Sequence, residues 1–348
     1  MSSAKSNPLR VAIVGASTLK GREIQSVLRD RKFALKKLVL LDSDEDLGRL
    51  SEFEGEPVVS LAINDTSLEF LDVAFFASNV EQTRAHAHLA AKNKFLLVDL
   101  SHAFSEDASV PVFLESQPSD RAIASTLGLV ASPHPAAITV ATILQRLSQV
   151  FSLDNIVVSI FEPASERGNS AVEELRQQTI NIFSFQKIPT TVFDSQLAFN
   201  LLSRLGEDAK EPLISSERVI ANHVRALSRP GSPLPSIALI QAPMFHSHAF
   251  SFFVEMDAGV PITELEKCLE SDAISVRATD DEPPSPVDVA GSDSIQVGGI
   301  RRDLFNPRGV WFWAASDNLR LAAVNAVGAV EKYLLQQSMK GRVTGSHD

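Results

Sequence analysis

The sequence predicts an α/β protein in two regions: a doubly wound parallel sheet, then an α+β domain. Three observations carry this prediction. Over roughly the first 130 residues, short apolar runs alternate with helical patterns, as right-handed βαβ crossovers require. A glycine turn directly follows the first apolar run. Further along, the alternation gives way to strands of antiparallel style.

In chain order, Val11–Val14 has no polar interruption and reads as a buried parallel strand. A helix over 21–32 follows, with Ile24, Val27 and Leu28 at helical spacing. Strands are predicted over 37–41, ending in Asp42, and over 72–77, then a helix over 80–92 and a strand over 95–100. The second region opens with a helix near 137–151, a strand over 155–161 and a strongly polar helix over 170–182. Strands follow over 236–240 and 250–255, then an amphipathic helix around 262–269. A Pro-, Asp- and Ser-rich surface loop covers 281–294. A strand over 309–314 and a long helix over 317–335 close the fold, with a disordered tail from Gln336.

Composition excludes several functions. A net charge of −11 lacks the basic footprint of a nucleic-acid binder and disfavours anionic membranes. No apolar stretch is long enough to span a bilayer, and the polar residues before the first strand do not read as a signal peptide. One cysteine excludes an internal disulfide and suits a reducing cytoplasm. Eight histidines form no helical metal-ligand spacing, so a metal site is not expected.

The glycine turn reads Gly15-Ala16-Ser17-Thr18-Leu19-Lys20-Gly21. It fits a pyrophosphate site at a helix N-terminus; equally, it fits a turn kept for the fold alone, since Thr18 carries a Cβ where phosphate approaches closely. Asp42 heads the run Asp42-Ser43-Asp44-Glu45-Asp46. Such an acid binds an adenosine ribose, and the surrounding carboxylates disfavour NADP relative to NAD. The same run also reads as a solvated acidic loop.

Several stretches together resemble the aspartate-semialdehyde dehydrogenase family over almost the whole chain. They are Val11–Gly21, Val98–Phe104, Ala171–Leu175, Gln196–Asn200 and Ser316–Arg320. The resemblance implies a Rossmann-type NAD(P)-binding domain over 1–131, onto which a C-terminal helix over 317–337 packs back. It also implies a dimerisation domain carrying the active site over 132–316, and a flexible tail over 338–348. A homodimer and NAD or NADP are implied, although the cofactor is not required for folding.

Members of the family form a thioester on a cysteine at the start of the second domain's first helix. The resemblance places Pro135, in Ser132-Pro133-His134-Pro135, at that position. Proline suits a helix's first turn but offers no nucleophile. The neighbouring His134 is expected to point elsewhere. The glutamine that orients the nucleophile falls on Glu162, the carboxylate-binding arginine on Gln241, and the two phosphate-binding positions on Ser105 and near Val219. The acid/base histidine matches His248, with His246 beside it, and the nicotinamide-amide contact matches Asn318. His248 also reads as a hydrogen-bonded structural histidine, and Asp317 and Asn318 read equally well as helix caps. Cys268 shares a helix face with Leu265 and reads as packing.

Two functions follow. One is a catalytically degenerate relative, similar to the Usg-type proteins of this family, that binds or scaffolds as a homodimer or with another protein partner. The other is an active NAD(P)-dependent oxidoreductase of aldehyde or acyl substrates that uses His248 and Glu162 as acid and base without a thiol.

Overall fold

The computed structural model describes residues 8–43, 50–53, 56–117, 123–257, 259–278 and 280–344. The chain divides into two compact units, Met1–Pro133 with Ala322–Asp348, and His134–Leu321.

The first unit runs β1 (Leu9–Val14), α1 (Leu19–Asp30), β2 (Leu35–Asp42), β3 (Leu50–Phe53), β4 (Glu56–Val59), β5 (Leu61–Ala62), β6 (Val73–Phe76), α2 (Val80–His86), α3 (His88–Asn93), β7 (Leu96–Asp99) and β8 (Leu129–Ala131). β3 and β4 form a separate antiparallel pair. The other six strands lie in the order β5-β2-β1-β6-β7-β8, all parallel. Counted along the chain this is the 3-2-1-4-5-6 order of the dinucleotide-binding fold. β1 sits at its centre with Val11, Ala12, Ile13 and Val14 fully buried. Val11 and Ile13 join one core cluster, Ala12 and Val14 the other, because successive side chains leave a strand on opposite faces. Covering both faces is what makes such a strand apolar at every position.

The second unit runs α4 (Pro135–Leu147), β9 (Leu153–Glu162), α5 (Asn169–Phe183), α6 (Leu213–Leu227), β10 (Ser236–Gln241), β11 (His248–Met256), α7 (Ile262–Leu269), β12 (Ile274–Val276), β13 (Ile295–Arg302) and β14 (Gly309–Ser316). Its mixed sheet has the order β10-β9-β11-β14-β13-β12. β11 pairs antiparallel with both β9 and β14, placing Phe252 against Phe312 with rings stacked at 4.7 Å. The α/β plus α+β class read from the sequence is the class observed.

α8 (Asn318–Thr344) begins in the second unit, and its stretch from Ala322 belongs to the first. There Ala323, Val324, Ala326, Val327 and Val330 are buried in the core cluster that holds β1, and Asn325 donates to the Phe113 carbonyl and the Ser132 hydroxyl.

Several expectations need correction. α8 continues to Thr344, past residue 338 where the tail was expected, because the segment contains no proline to stop it. The single helix over 80–92 is broken at Ala87, whose own angles stay helical. α6, β8, β12 and β13 had no counterpart in the sequence reading. Of the acidic run, Asp44, Glu45 and Asp46 lie outside the described residues.

Candidate functional site

In the first unit the glycine turn is held together by contacts of its own. Gly15 has φ +81°, and a Cβ there would lie 2.8 Å from the Ser78 nitrogen; a Cβ on Gly21 would lie 2.1 Å from the Gly15 carbonyl oxygen. Both glycines are therefore required by close packing of β1, α1 and the chain after β6. Thr18 is the N-cap of α1: its hydroxyl accepts from the Gly21 N–H at 3.0 Å and donates to the Gly15 carbonyl at 2.7 Å. Ser17 donates to Asp42 through both its N–H (2.9 Å) and its hydroxyl (3.0 Å), and the Ser60 hydroxyl donates to the other Asp42 oxygen at 2.6 Å. Asp42 is 2% exposed.

Asp42 itself is not a solvated acid: its carboxylate accepts from Ser17 and Ser60. A nicotinamide dinucleotide needs free N–H groups for its diphosphate and a free acid for its ribose. Here the Ser17 and Gly21 N–H groups and both Asp42 oxygens are already engaged.

In the second unit the structure gathers the catalytic-type positions into a buried polar cluster. Pro135 is the first residue of α4, buried, where its missing N–H costs nothing. His134 caps the same helix, its Nδ1 accepting from the Ala136 N–H at 3.2 Å. An imidazole nitrogen that accepts a backbone N–H carries no proton, so the neutral ring's proton sits on Nε2. That nitrogen lies 3.5 Å from a Glu166 oxygen. The His134 N–H in turn donates to His223 Nδ1 at 3.0 Å, fixing the His223 proton on its Nε2 by the same logic.

His248 opens β11, opposite Ser316 in register, and is fully buried. Its ring lies 5.7 Å from that of His134 and 5.7 Å from that of Phe250. His246, two residues earlier, is exposed and does not join it.

Asn318 is not the helix cap. Asp317 is, accepting from the Leu319 and Arg320 N–H groups. The fully buried Asn318 amide instead donates to Glu166 at 2.7 Å and to the Ser165 hydroxyl at 3.0 Å, and its oxygen accepts from the Ser247 N–H at 2.9 Å. All of its amide groups are spent inside the unit.

At the end of β9, Glu162 is 1% exposed and lies 3.4 Å from Arg167. Arg167 also donates to the Gln241 side chain at 3.0 Å and to the Glu211 carbonyl at 2.9 Å. Gln241 donates to the Glu162 carbonyl at 2.8 Å. The two positions matched to the family's glutamine and arginine are thus brought together, with a guanidinium between them.

Sequence reasoning missed Arg167, Glu166 and His223, and misplaced His134, which points into the cluster. One signal was available. A carboxylate at the end of a buried strand needs a nearby cation, and Arg167 is the first basic residue after Glu162. The two phosphate-binding positions offer nothing comparable. Ser105 donates its N–H to the His102 carbonyl, and Arg218 is exposed on α6. Cys268 lies on α7, half-buried, its thiol donating to the Arg146 carbonyl at 3.2 Å. Among the described residues no group of three or more His, Cys, Asp or Glu is placed to hold a metal ion. No described helix is long and apolar enough to cross a membrane.

Comparison with known proteins places this geometry in context. Residues 10–123 match the model of the semialdehyde dehydrogenase NAD binding domain, and residues 144–321 that of the semialdehyde dehydrogenase dimerisation domain. The chain is 28% identical over 331 residues to the aspartate-semialdehyde dehydrogenase of Rickettsia bellii, covering 93% of this chain and 97% of that protein. The structure of a probable aspartate-semialdehyde dehydrogenase from Pseudomonas aeruginosa is 28% identical and superposes with a TM-score of 0.84, covering 93% of this chain and 98% of that one. Aspartate semialdehyde dehydrogenase II of Vibrio cholerae, 24% identical, shares the fold with a TM-score of 0.86 over 95% of this chain and 99% of that one.

Proposed function

The chain belongs to the aspartate-semialdehyde dehydrogenase family, and we propose that within it this protein is a member without the thioester step. It acts, on this reading, as a Usg-type homodimer that binds or scaffolds. The observation that carries the reading is Pro135, buried as the first residue of α4 where the resemblance puts the nucleophile. A helix N-terminus activates a thiol there; a pyrrolidine ring has nothing to activate.

The surrounding residues support the same conclusion. His134 cannot replace the thiol, because one ring nitrogen is held by the helix N–H and the other carries the proton facing Glu166. Glu162 and Gln241 are tied to Arg167, so neither a free base nor a carboxylate fork is offered. His248 is sealed among His134 and Phe250. The same facts weigh against His248 and Glu162 as an acid and base pair in a thiol-free oxidoreductase. Nucleotide affinity is weak or absent on this reading, since the donors of the glycine turn are engaged internally.

The test is an assay of the purified protein with aspartate semialdehyde, phosphate and NAD or NADP, following reduced nicotinamide. No turnover above a protein-free blank is expected. Turnover that His248→Ala abolishes would overturn the reading. Titration calorimetry with each nucleotide is expected to show no micromolar binding, and a micromolar site would restore the oxidoreductase.

A further inference from the structure

We propose that a groove at the amino-terminal edge of the first unit's sheet binds a small amphipathic carboxylate. Its volume is about 450 Å³, within the range of roughly 300–1,000 Å³ that small-molecule sites occupy. Three parts of the first unit line it: the end of α3 with the step into β7, the turn over 123–128 that leads into β8, and α8 around Tyr333. Phe95 and Gly128 stand immediately before β7 and β8, whereas the glycine turn immediately follows β1. These strands are all parallel, so groove and glycine turn lie at opposite edges of the sheet. Dinucleotides approach such sheets at the carboxyl ends of the strands. The groove is therefore a separate site, and its assignment does not depend on the function proposed above.

The groove is formed in advance of any ligand. The Ile123 N–H donates to the Gln336 side chain, which ties the turn to α8. The Ser125 hydroxyl accepts from the Leu127 and Leu129 N–H groups, and the Ser125 carbonyl from Gly128. Gly128 has φ +75°, and a Cβ there would lie 2.8 Å from the Phe95 carbonyl oxygen, so the turn closes directly onto the start of β7. Lys94 caps α3 in the left-handed conformation, φ +59°, with its N–H donating to the Ala90 carbonyl. A ligand that meets walls already fixed loses little freedom on binding.

The lining selects the ligand. Phe95, Ile123 and Leu127 supply an apolar wall, and Thr126, Tyr333 and Gln337 supply neutral polar groups. Lys94 is the one charged residue among the described lining residues. Its ammonium and the Tyr333 hydroxyl make no side-chain bond with any described residue. With no acid in the lining, a cation finds no partner here. A single ammonium also falls short of the several donors that a diphosphate takes. One carboxylate on an apolar body matches one ammonium beside an apolar wall.

Saturation-transfer NMR titration of the full chain with octanoate tests this. Binding is expected with a dissociation constant of about a millimolar or below, and 1-octanol should bind at least about tenfold more weakly. Lys94→Gly, at a left-handed position where glycine is at ease, is expected to weaken octanoate about tenfold. Tyr333→Phe should weaken it about threefold. Leu127→Glu, on a side chain 55% exposed and so with little packing to lose, puts a like charge in the wall and should abolish binding. Lys92→Ala removes an exposed cation that lies outside the groove and should change nothing. Millimolar NAD should not displace octanoate. A wild type that leaves octanoate unbound at several millimolar overturns the site. So does binding that Lys94→Gly and Leu127→Glu leave unchanged, that 1-octanol equals, that Lys92→Ala weakens, or that NAD displaces. None of these results bears on Pro135, whose reading the aldehyde assay decides separately.

Discussion

Glu162 and Arg167 face each other with side chains 1% and 7% exposed, so their charges interact with little help from water. Such a pair contributes little net stability while intact, but removing one partner strands the other. Arg167→Met is expected to cost about 3–5 kcal/mol by taking the guanidinium away from a buried carboxylate. Adding Glu162→Gln should recover most of that loss. Urea unfolding followed by tryptophan fluorescence measures it in the right place, because both tryptophans, Trp311 and Trp313, lie on β14 of the second unit. Equal losses in the single and double variants would show that the pair is not what holds Glu162. Cys268 gives a second residue-scale test. Burial, opposed weakly by Arg146, pushes its thiol above the ordinary range. The unfolded thiol ionises first, near about 8.5, so the folded state's advantage is full below that pH and is lost as pH rises through the higher folded value. Ellman's reagent at pH about 8 should label the native protein at least about tenfold more slowly than the protein in guanidinium. Equal rates would place the thiol in open solvent.

Helix α5 shows how an element can mislead in sequence. It reads as a strongly polar helix, yet Glu174, Gln178 and Asn181 are all buried. Spaced by four and three residues, they form one stripe that supplies the hydrogen bonds a strand would otherwise give to the 186–200 loop. Gln178→Ala removes four of these bonds at once and is expected to cost about 2–4 kcal/mol, from buried N–H and C=O groups left unmatched. Hydrogen exchange at Leu197 and Ala198 should accelerate in step. An unchanged exchange rate there would mean the loop holds itself. α6 escaped the sequence reading because its buried side includes His223 among aliphatics. β13 escaped because Gly298 and Gly299 interrupt the strand alternation at a register shift opposite β14. By contrast β1, α1 and β2 were legible: Val11–Val14 of β1 is an unbroken apolar run, and α1 begins at the expected turn with Ile24, Val27 and Leu28 buried.

At the scale of the molecule, the two-part architecture was visible in the rhythm of the chain, because local periodicity and sheet burial follow the same rule in every α/β fold. The candidate site was visible only as positions. That Pro135, Glu162, Gln241 and His248 occur could be read from the sequence. That Arg167 sits between Glu162 and Gln241, and that Glu166 links His134 to Asn318, depends on how β9 and β11 align at their ends. No spacing along the chain encodes that alignment. The proposal that this chain takes no covalent step is tested most directly by intact-mass spectrometry. The protein is incubated with aspartate semialdehyde and NAD or NADP in phosphate-free buffer, where any acyl-enzyme would accumulate. A chain with proline at the nucleophile position keeps its native mass, whereas an added acyl mass that phosphate then removes would show that a covalent route exists.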